Sequence, residues 1–171
     1  MARKLLKRIV PSRETLAKYK SLQRLGNWIH DPSLWHMTRH SVSVAGFISV
    51  FVAFLPCPLH TPIAAMLAVW LHANLPISIS LIWINNPVTM GPIYYGSYKL
   101  GAFLLDMRVQ PLPESLSFTW LFHQLDNIFV PMLVGGLVFG IGLGVLAYFS
   151  IQIGWRCNSV HRWNARKSRQ R

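Results

Sequence analysis

Two proline-punctuated stretches bring together the residue types best suited to bind a ligand in this chain of 171 residues. We name LPCPLHTP at residues 55–62 the first break, and NNPVTMGP at residues 85–92 the second break. A proline frees backbone carbonyls that precede it, and the helix that follows presents unpaired backbone amides. Such amides favour an anion or a polar headgroup. The two breaks are therefore the leading candidates for a binding site.

Polar, aromatic and basic side chains lie in the breaks and near them along the chain. The predicted binding or pathway residues are Pro56, Pro58, His60, Thr61, Asn85, Asn86, Pro87, Thr89, Tyr94, Tyr98, Lys99 and Arg39. A lone lysine in an apolar run is costly in a membrane and by default indicates function. A purely structural role is open for each residue taken alone, because prolines kink helices, tyrosines form interfacial belts and lysines snorkel.

The middle of the chain offers little to catalysis. It lacks paired carboxylates, a nucleophile beside a base, and the close Cys and His spacing of a zinc site. Asp106, Asp126 and His123 fit a solvated loop better than an active site. We therefore predict a protein that is not an enzyme and that uses no metal or cofactor. Cys57 and Cys157 are expected at different depths, one of them facing a reducing compartment, so we predict no disulfide.

Composition and charge distribution indicate a membrane protein. Hydrophobic residues make up 52% of the chain, and only five acids accompany seventeen Lys and Arg, whereas charged residues form roughly a quarter of an ordinary soluble domain. Nine of the seventeen basic residues lie in residues 1–40 and six in residues 155–171. Basic residues beside apolar spans mark the cytoplasmic side, so both termini are expected inside, with an even number of crossings. We favour this topological role over nucleic-acid binding, although the basic tail also suits anionic lipid.

Helix signals precede the first break. Apolar residues at helical spacing in residues 16–25 predict an amphipathic helix that either lies on the membrane surface or packs on its own protein. Asp31, as an N-cap followed by Pro32, predicts a second helix that runs without another strong breaker to Pro56. This helix would extend about 36 Å, which is enough to cross the hydrocarbon core.

Short apolar pieces surround the breaks, and one long apolar run follows them. The piece counted from Pro58 reaches only about the lower limit of roughly 17 residues for a span, residues 77–84 are too short, and residues 93–105 show a helical pattern. After a polar connection, residues 128–153 form an uncharged run of 26 residues, which is the clearest span in the chain.

Three glycines indicate a packing seam in this last apolar run. Gly136, Gly140 and Gly144 recur at every fourth residue and so share one face of a helix. Small residues at this spacing let a second helix approach closely. The partner helix belongs either to the same monomer or to another subunit.

Counting these pieces gives a fold class and a domain division. We predict an all-α, polytopic integral membrane helical bundle with about four crossings, two proline-broken or re-entrant segments and an amphipathic N-terminal helix. A version in which the breaks are tips of re-entrant hairpins fits the same charge rule with fewer full crossings. The predicted domains are a basic cytoplasmic region at residues 1–30, a membrane domain at 31–155 and a basic cytoplasmic tail at 156–171.

The order of motifs points to one bacterial family. The motifs are LWHMTRHSVSVAGFISVFVAFLPCP and then LHANLPISISLIWINNPVTMGPIYYGSYKLGAFLL, within residues 34–105. This order resembles the family called domain of unknown function 2062. The resemblance implies a small inner-membrane protein of Gram-negative bacteria and implies no activity. Against the family pattern, His60 stands where we expect glutamine and His72 where we expect arginine.

Two classes of function follow from these features. The first is a small transporter or lipid-handling protein that passes an anionic or amphipathic molecule between the two breaks. The second is a non-catalytic assembly subunit that docks partners through the glycine seam and the basic termini. The expected partners are the lipid bilayer, its anionic headgroups and either a second copy of the chain or another membrane protein. The expected location is the bacterial inner membrane, with several crossings and both termini in the cytoplasm.

Overall fold

Helices are the only regular elements in the part of the chain that the structure describes. The computed structural model describes residues 32–107 and 125–167, with side chains at 32, 34–107 and 127–160. Five α-helices and two short 3-10 helices lie in these ranges, without a strand, which confirms the all-α class. The predicted amphipathic N-terminal helix, most of the polar connection and the end of the basic tail lie outside the described residues.

Helix α1, Arg39–Ala53, begins seven residues later than predicted. The predicted start was wrong because Pro32–Trp35 forms only a 3-10 turn. The α-helix starts where the Thr38 side chain accepts a hydrogen bond of 3.1 Å from a first-turn backbone amide, as N-caps do. Just before it, the His36 carbonyl accepts a hydrogen bond of 3.4 Å from Asn74 Nδ2. The His36 carbonyl thus has a tertiary partner, Asn74, where a longer helix would give it a backbone amide.

Helices α2 and α3 form a half-length hairpin beside α1. Helix α2 is His60–Trp70, and α3 is Leu75–Leu81, which the 3-10 helix Ile82–Ile84 extends. Asn74 caps α3 with its side chain, and its backbone amide donates a hydrogen bond of 3.2 Å to the Ser41 carbonyl. The turn of the hairpin therefore lies beside the start of α1.

The first break ends earlier than predicted. Residues 54–59 are non-helical, and α2 begins at His60, so the prediction that the break runs to Pro62 was wrong. Pro62 is the third residue of the helix. Proline is tolerated in a first turn because the amide it lacks has no partner within the helix there.

Helix α4, Pro87–Leu104, contains most of the second break. Asn86 is its N-cap, and Asn86 and Thr89 form a reciprocal capping box, while Pro87 takes the first helical position. Pro92 lies inside the helix. The prediction that the break extends to Pro92 was wrong, because a proline this close to the N-terminus removes only one helical hydrogen bond and the cap stabilises the start.

Helix α5, Leu125–Lys167, is the longest element, with 43 residues and a length of about 64 Å. Its segment Asn127–Val160 is, within the described ranges, the one helix long and apolar enough to span a membrane. Helices α1 and α2 and the segment Leu75–Ile84 are apolar but shorter. The four predicted crossings stay a prediction.

The predicted glycine row of α5 packs against α1. A side chain at Gly136 would collide with the carbonyl oxygen of Phe54, and one at Gly144 would come within 2.9 Å of the Phe47 ring. Gly140 lies between them, and a Cβ atom there would be 3.0 Å from the Phe51 carbonyl oxygen. Because residue numbers fall along α1 as they rise along α5, the two helices are antiparallel.

A second pair of glycines brings α5 against α4. A Cβ atom at Gly101 would collide with the backbone of Pro131, and one at Gly135 would collide with the backbone of Ser97. These helices are also antiparallel, so α1 and α4 run in one direction and α5 in the other. Side chains larger than hydrogen have no space at either position.

Small residues form the contact between α1 and α3. Ser41, Ala45, Ser49 and Ala53 recur at every fourth position of α1, and all four are buried. Ser49 Oγ lies 2.9 Å from the carbonyl oxygen of the buried Ser78 on α3. Close packing with interhelical hydrogen bonds is typical of helices in membranes.

Candidate functional site

Side chains from both breaks bind backbone carbonyl groups at the end of α1 and just beyond it. The helix ends at Ala53, and the amides of Phe54 and Leu55 still donate to the Phe51 and Val52 carbonyls, which leaves the Ala53 carbonyl for a side chain. His60 Nε2 lies 2.9 Å from the Leu55 carbonyl oxygen, and Asn85 Nδ2 lies 3.0 Å from the Ala53 carbonyl oxygen. His60 comes from the first break and Asn85 from the second, so the two breaks meet in space.

Tyr94, from the second turn of α4, completes this group. Its hydroxyl oxygen lies 3.1 Å from Asn85 Nδ2, 3.2 Å from His60 Nε2 and 3.4 Å from the Leu55 carbonyl oxygen. His60 Nε2 and Asn85 Nδ2 are themselves 3.2 Å apart. We name His60, Asn85 and Tyr94 the break cluster.

The carbonyl oxygens fix how hydrogen atoms are arranged in the break cluster. A carbonyl oxygen only accepts, so the contact at Leu55 places a hydrogen on His60 Nε2. For the same reason, Asn85 turns its amide nitrogen towards Ala53 and donates its second hydrogen to Tyr94. The Tyr94 hydroxyl is then free to donate to Leu55.

An open cleft of about 420 Å³ lies between the first turn of α2 and the end of α3. Its apolar lining residues are Pro58, Leu59, Pro62, Ile79, Ile82 and Trp83, and its polar ones are His60, Thr61 and Asn85. Trp83 and Leu59 are exposed, and no side chain caps the first amides of α2. Mostly apolar walls with a few convergent polar groups suit an amphipathic molecule.

The polar groups of the second break serve α4 itself. Asn86 Oδ1 accepts hydrogen bonds from the backbone amides of Val88 at 2.9 Å and Thr89 at 3.1 Å. Thr89 Oγ1 accepts one of 3.0 Å from the Asn86 amide. The sequence predicted free amides for an anion at this break, and the structure instead pairs these amides locally.

Three predicted residues lie away from the break cluster. Arg39 is exposed at the start of α1, about 21 Å along the helix from Ala53. Lys99 is exposed, and its ammonium lies 4.8 Å from the centre of the Tyr95 ring. Tyr98 is buried. Lys99 follows Tyr94 by five residues, which turns it roughly 140° around α4.

The remaining predicted prolines and His72 have separate positions. Pro58 lines the cleft, Pro56 lies near Gly136 of α5, and Pro87 starts α4. His72 is exposed in the turn between α2 and α3, where its φ of 48° is left-handed. Histidine adopts this conformation more readily than most residues.

Sequence reasoning missed several residues that position the site. Asn74 is fully buried and holds α3 beside α1; the sequence Asn-Leu-Pro carries its N-cap signal. The every-fourth-residue spacing of small residues in α1 signalled its contact with α3. No local signal marked Gly101 as the partner of Pro131, since that contact joins distant parts of the chain.

Comparisons with known proteins identify a family. The family described as "Uncharacterized protein conserved in bacteria (DUF2062)" matches residues 22–164, which is most of the chain and confirms the resemblance seen in the motifs. The comparison with curated proteins and that with solved structures gave no match.

Proposed function

The chain belongs to the bacterial family DUF2062, and we propose that it is an inner-membrane protein that binds an amphipathic molecule in the cleft beside its two breaks. One observation carries this proposal: the break cluster joins the two breaks at a cleft whose walls are mainly apolar. A molecule with an apolar body and a polar head fits such a lining. We infer from this binding that the protein handles lipids.

The exposed surface of α5 supports a place in the membrane. Large apolar side chains are exposed along it, namely Val138, Ile141, Leu143, Val145, Leu146, Phe149 and Ile153. Water would disfavour such a continuous apolar surface, whereas lipid covers it. The basic residues at both ends of the chain favour cytoplasmic termini.

The position of the first break supports a site within the membrane. The Phe54 carbonyl faces Gly136, which lies eight residues, or about 12 Å, beyond the start of the apolar run at Ile128. Backbone groups at such a depth need partners inside the protein. Asn85 supplies a partner to the Ala53 carbonyl, and His60 adds a second one, beside the Cys57 amide, to the Leu55 carbonyl.

We favour a re-entrant hairpin over four full crossings. Helix α2 and the segment Leu75–Ile84 each extend only about 15 Å, half the thickness of the hydrocarbon core. The turn at Asn74 lies beside the start of α1, which follows the basic N-terminal region in the sequence. The hairpin of α2 and α3 therefore has its turn at the cytoplasmic side and its two open ends at the break cluster within the membrane, so α1 and α2 form a re-entrant pair whose tip is the first break.

The other predicted functions have less support. In the break cluster, side chains bind one another and two carbonyls, so passage between the breaks would require them to separate. Docking through Gly136, Gly140 and Gly144 would require a partner to displace α1. A homo-oligomer would therefore use another face of α5.

Filling the cleft tests the proposal. Thr61→Trp places an indole in the cleft, and Val88→Trp places the same group at a position that is 83% exposed. Each full-length protein is extracted in mild detergent, and mass spectrometry identifies the small molecules that co-purify with it. We expect an amphipathic molecule with the wild type and with Val88→Trp, and its loss with Thr61→Trp.

Two results would contradict the cleft proposal. The first is that the wild type retains no amphipathic molecule when it is extracted from bacterial membranes. The second is that Thr61→Trp and Val88→Trp retain the same molecule in equal amounts. Cysteine reactivity separates transport from binding: polar thiol reagents reach a cysteine at Asn86, Thr89 or Lys99 if these residues line a pathway.

A further inference from the structure

Lys99 is an isolated charge on the exposed side of α4. It is the only Lys, Arg, Asp or Glu in residues 40–105. Among the residues with described side chains, Asp106 is the one acid, and it lies beyond the end of α4. The ammonium instead lies 4.8 Å from the centre of the Tyr95 ring. Such a cation–π contact leaves the positive charge uncompensated, because the ring carries no net charge.

Lys99 belongs to a row of exposed residues along α4. Gly91, Tyr95, Lys99 and Phe103 recur at every fourth position and are all exposed, with Phe103 at 80%. A side chain at Gly91 would meet nothing within 4 Å. The row is thus an apolar strip with one cation in it, and residues at this spacing lie on one helix face.

The depth of Lys99 makes this charge costly. Ser97 contacts Gly135 and Gly101 contacts Pro131, so Lys99 lies beside the part of α5 about 5–10 Å inside the apolar run that starts at residue 128. Snorkelling to the nearer end of that run would take the side chain towards Phe103. Its ammonium lies over Tyr95 instead, in the opposite direction along the helix. A lysine held at this depth calls for an anion or water beside it.

We propose that Lys99, positioned over the ring of Tyr95, binds the phosphate headgroup of an anionic membrane lipid, with an acyl chain lying along the strip from Lys99 towards Gly91. Charge complementarity selects the headgroup, and the apolar strip favours a lipid over free phosphate. This site is separate from the cleft, since neither Lys99 nor Tyr95 lines it. It relies on the membrane location but not on a ligand in the cleft.

A local fluorescence measurement tests this site. A polarity-sensitive fluorophore is attached to Gly91→Cys in a chain that also carries Cys57→Ser and Cys157→Ser. The protein is reconstituted in phosphatidylcholine vesicles that contain a minor fraction of spin-labelled phosphatidylglycerol or, for comparison, spin-labelled phosphatidylcholine. Preferential quenching by phosphatidylglycerol reports the bound anionic lipid beside Gly91.

The variants separate this site from general attraction to basic residues. We expect Lys99→Gln to lower the preference for phosphatidylglycerol about five-fold, because one basic side chain near a membrane surface contributes on that order. Lys99→Arg keeps the charge and should keep the preference. Tyr95→Leu should lower it, and Tyr95→Phe should keep it because the ring remains. Arg39→Gln, at the far end of the molecule, is the matched control and should change nothing.

Three results would overturn the lipid site. One is an equal preference for phosphatidylglycerol in Lys99→Gln and the wild type. Another is a loss in Arg39→Gln as large as that in Lys99→Gln, which would mean diffuse attraction. The third is full displacement of the labelled lipid by inorganic phosphate. None of these results bears on the cleft, whose test is the molecule retained by Thr61→Trp.

Discussion

The backbone polar groups at the two breaks find their hydrogen-bond partners in different ways. The first leaves residues 54–59 non-helical, and side chains from α2, the second break and α4 bind the carbonyls of Ala53 and Leu55. The second leaves only two residues non-helical, and its own Asn86 and Thr89 satisfy the amides at the start of α4. The first break therefore depends on tertiary contacts, whereas the second is stabilised locally.

This difference gives the two breaks different roles: the second supports the structure, and the first lines the cleft. Because Asn86 and Thr89 cap α4, the side chain of Asn85 is not needed there and reaches across to Ala53. The first break leaves the start of α2 without a side-chain cap and opens onto the cleft. The second break, which is stabilised locally, thus stabilises the first break through Asn85. The cleft lies beside the first break.

Asn85→Leu should have the largest effect on this arrangement. The change leaves the buried end of α1 without the hydrogen bond at Ala53 and removes the bond to Tyr94. A buried group left without a partner costs about 1–3 kcal/mol, to which the lost packing adds. We expect the free energy of unfolding in mixed detergent micelles to fall by about 2–4 kcal/mol. A fall below about 0.5 kcal/mol would show that the second break does not support the first.

Asn86→Ala should have a smaller and more local effect. It removes a side-chain cap that accepts two backbone hydrogen bonds, and such a loss costs about 1 kcal/mol. Hydrogen exchange should speed up in the first turn of α4 and stay unchanged at the end of α1. Faster exchange in α1 as well would mean that the second break is not independent of the first.

The sequence allowed the locally encoded features to be predicted. The apolar run of α5, the glycine row within it and the resemblance to a family all rest on spacing within short segments. His60, Asn85 and Tyr94 were each predicted because polar groups beside prolines stand out in apolar sequence. Their residue types alone justified that prediction.

The arrangement of the site could not be predicted in the same way. His60 and Asn85 are 25 residues apart, and they meet only because α2 and α3 fold back as a hairpin held by Asn74. Pro92 was taken as a breaker because its position near a capped N-terminus depends on the capping box before it. Lys99 was predicted to line a pathway because the sequence shows a lone lysine in an apolar run. The sequence does not show which face of α4 carries that lysine.

A double-mutant cycle between His60 and Asn85 tests the central claim that the two breaks form one unit. The measurement is the free energy of unfolding of His60→Leu, Asn85→Leu and the double variant. Their shared network predicts a coupling of about 1 kcal/mol or more, while His72→Leu, at an exposed turn, should be additive with Asn85→Leu. Additivity of His60→Leu with Asn85→Leu would mean that the breaks are stabilised separately, and would contradict this account.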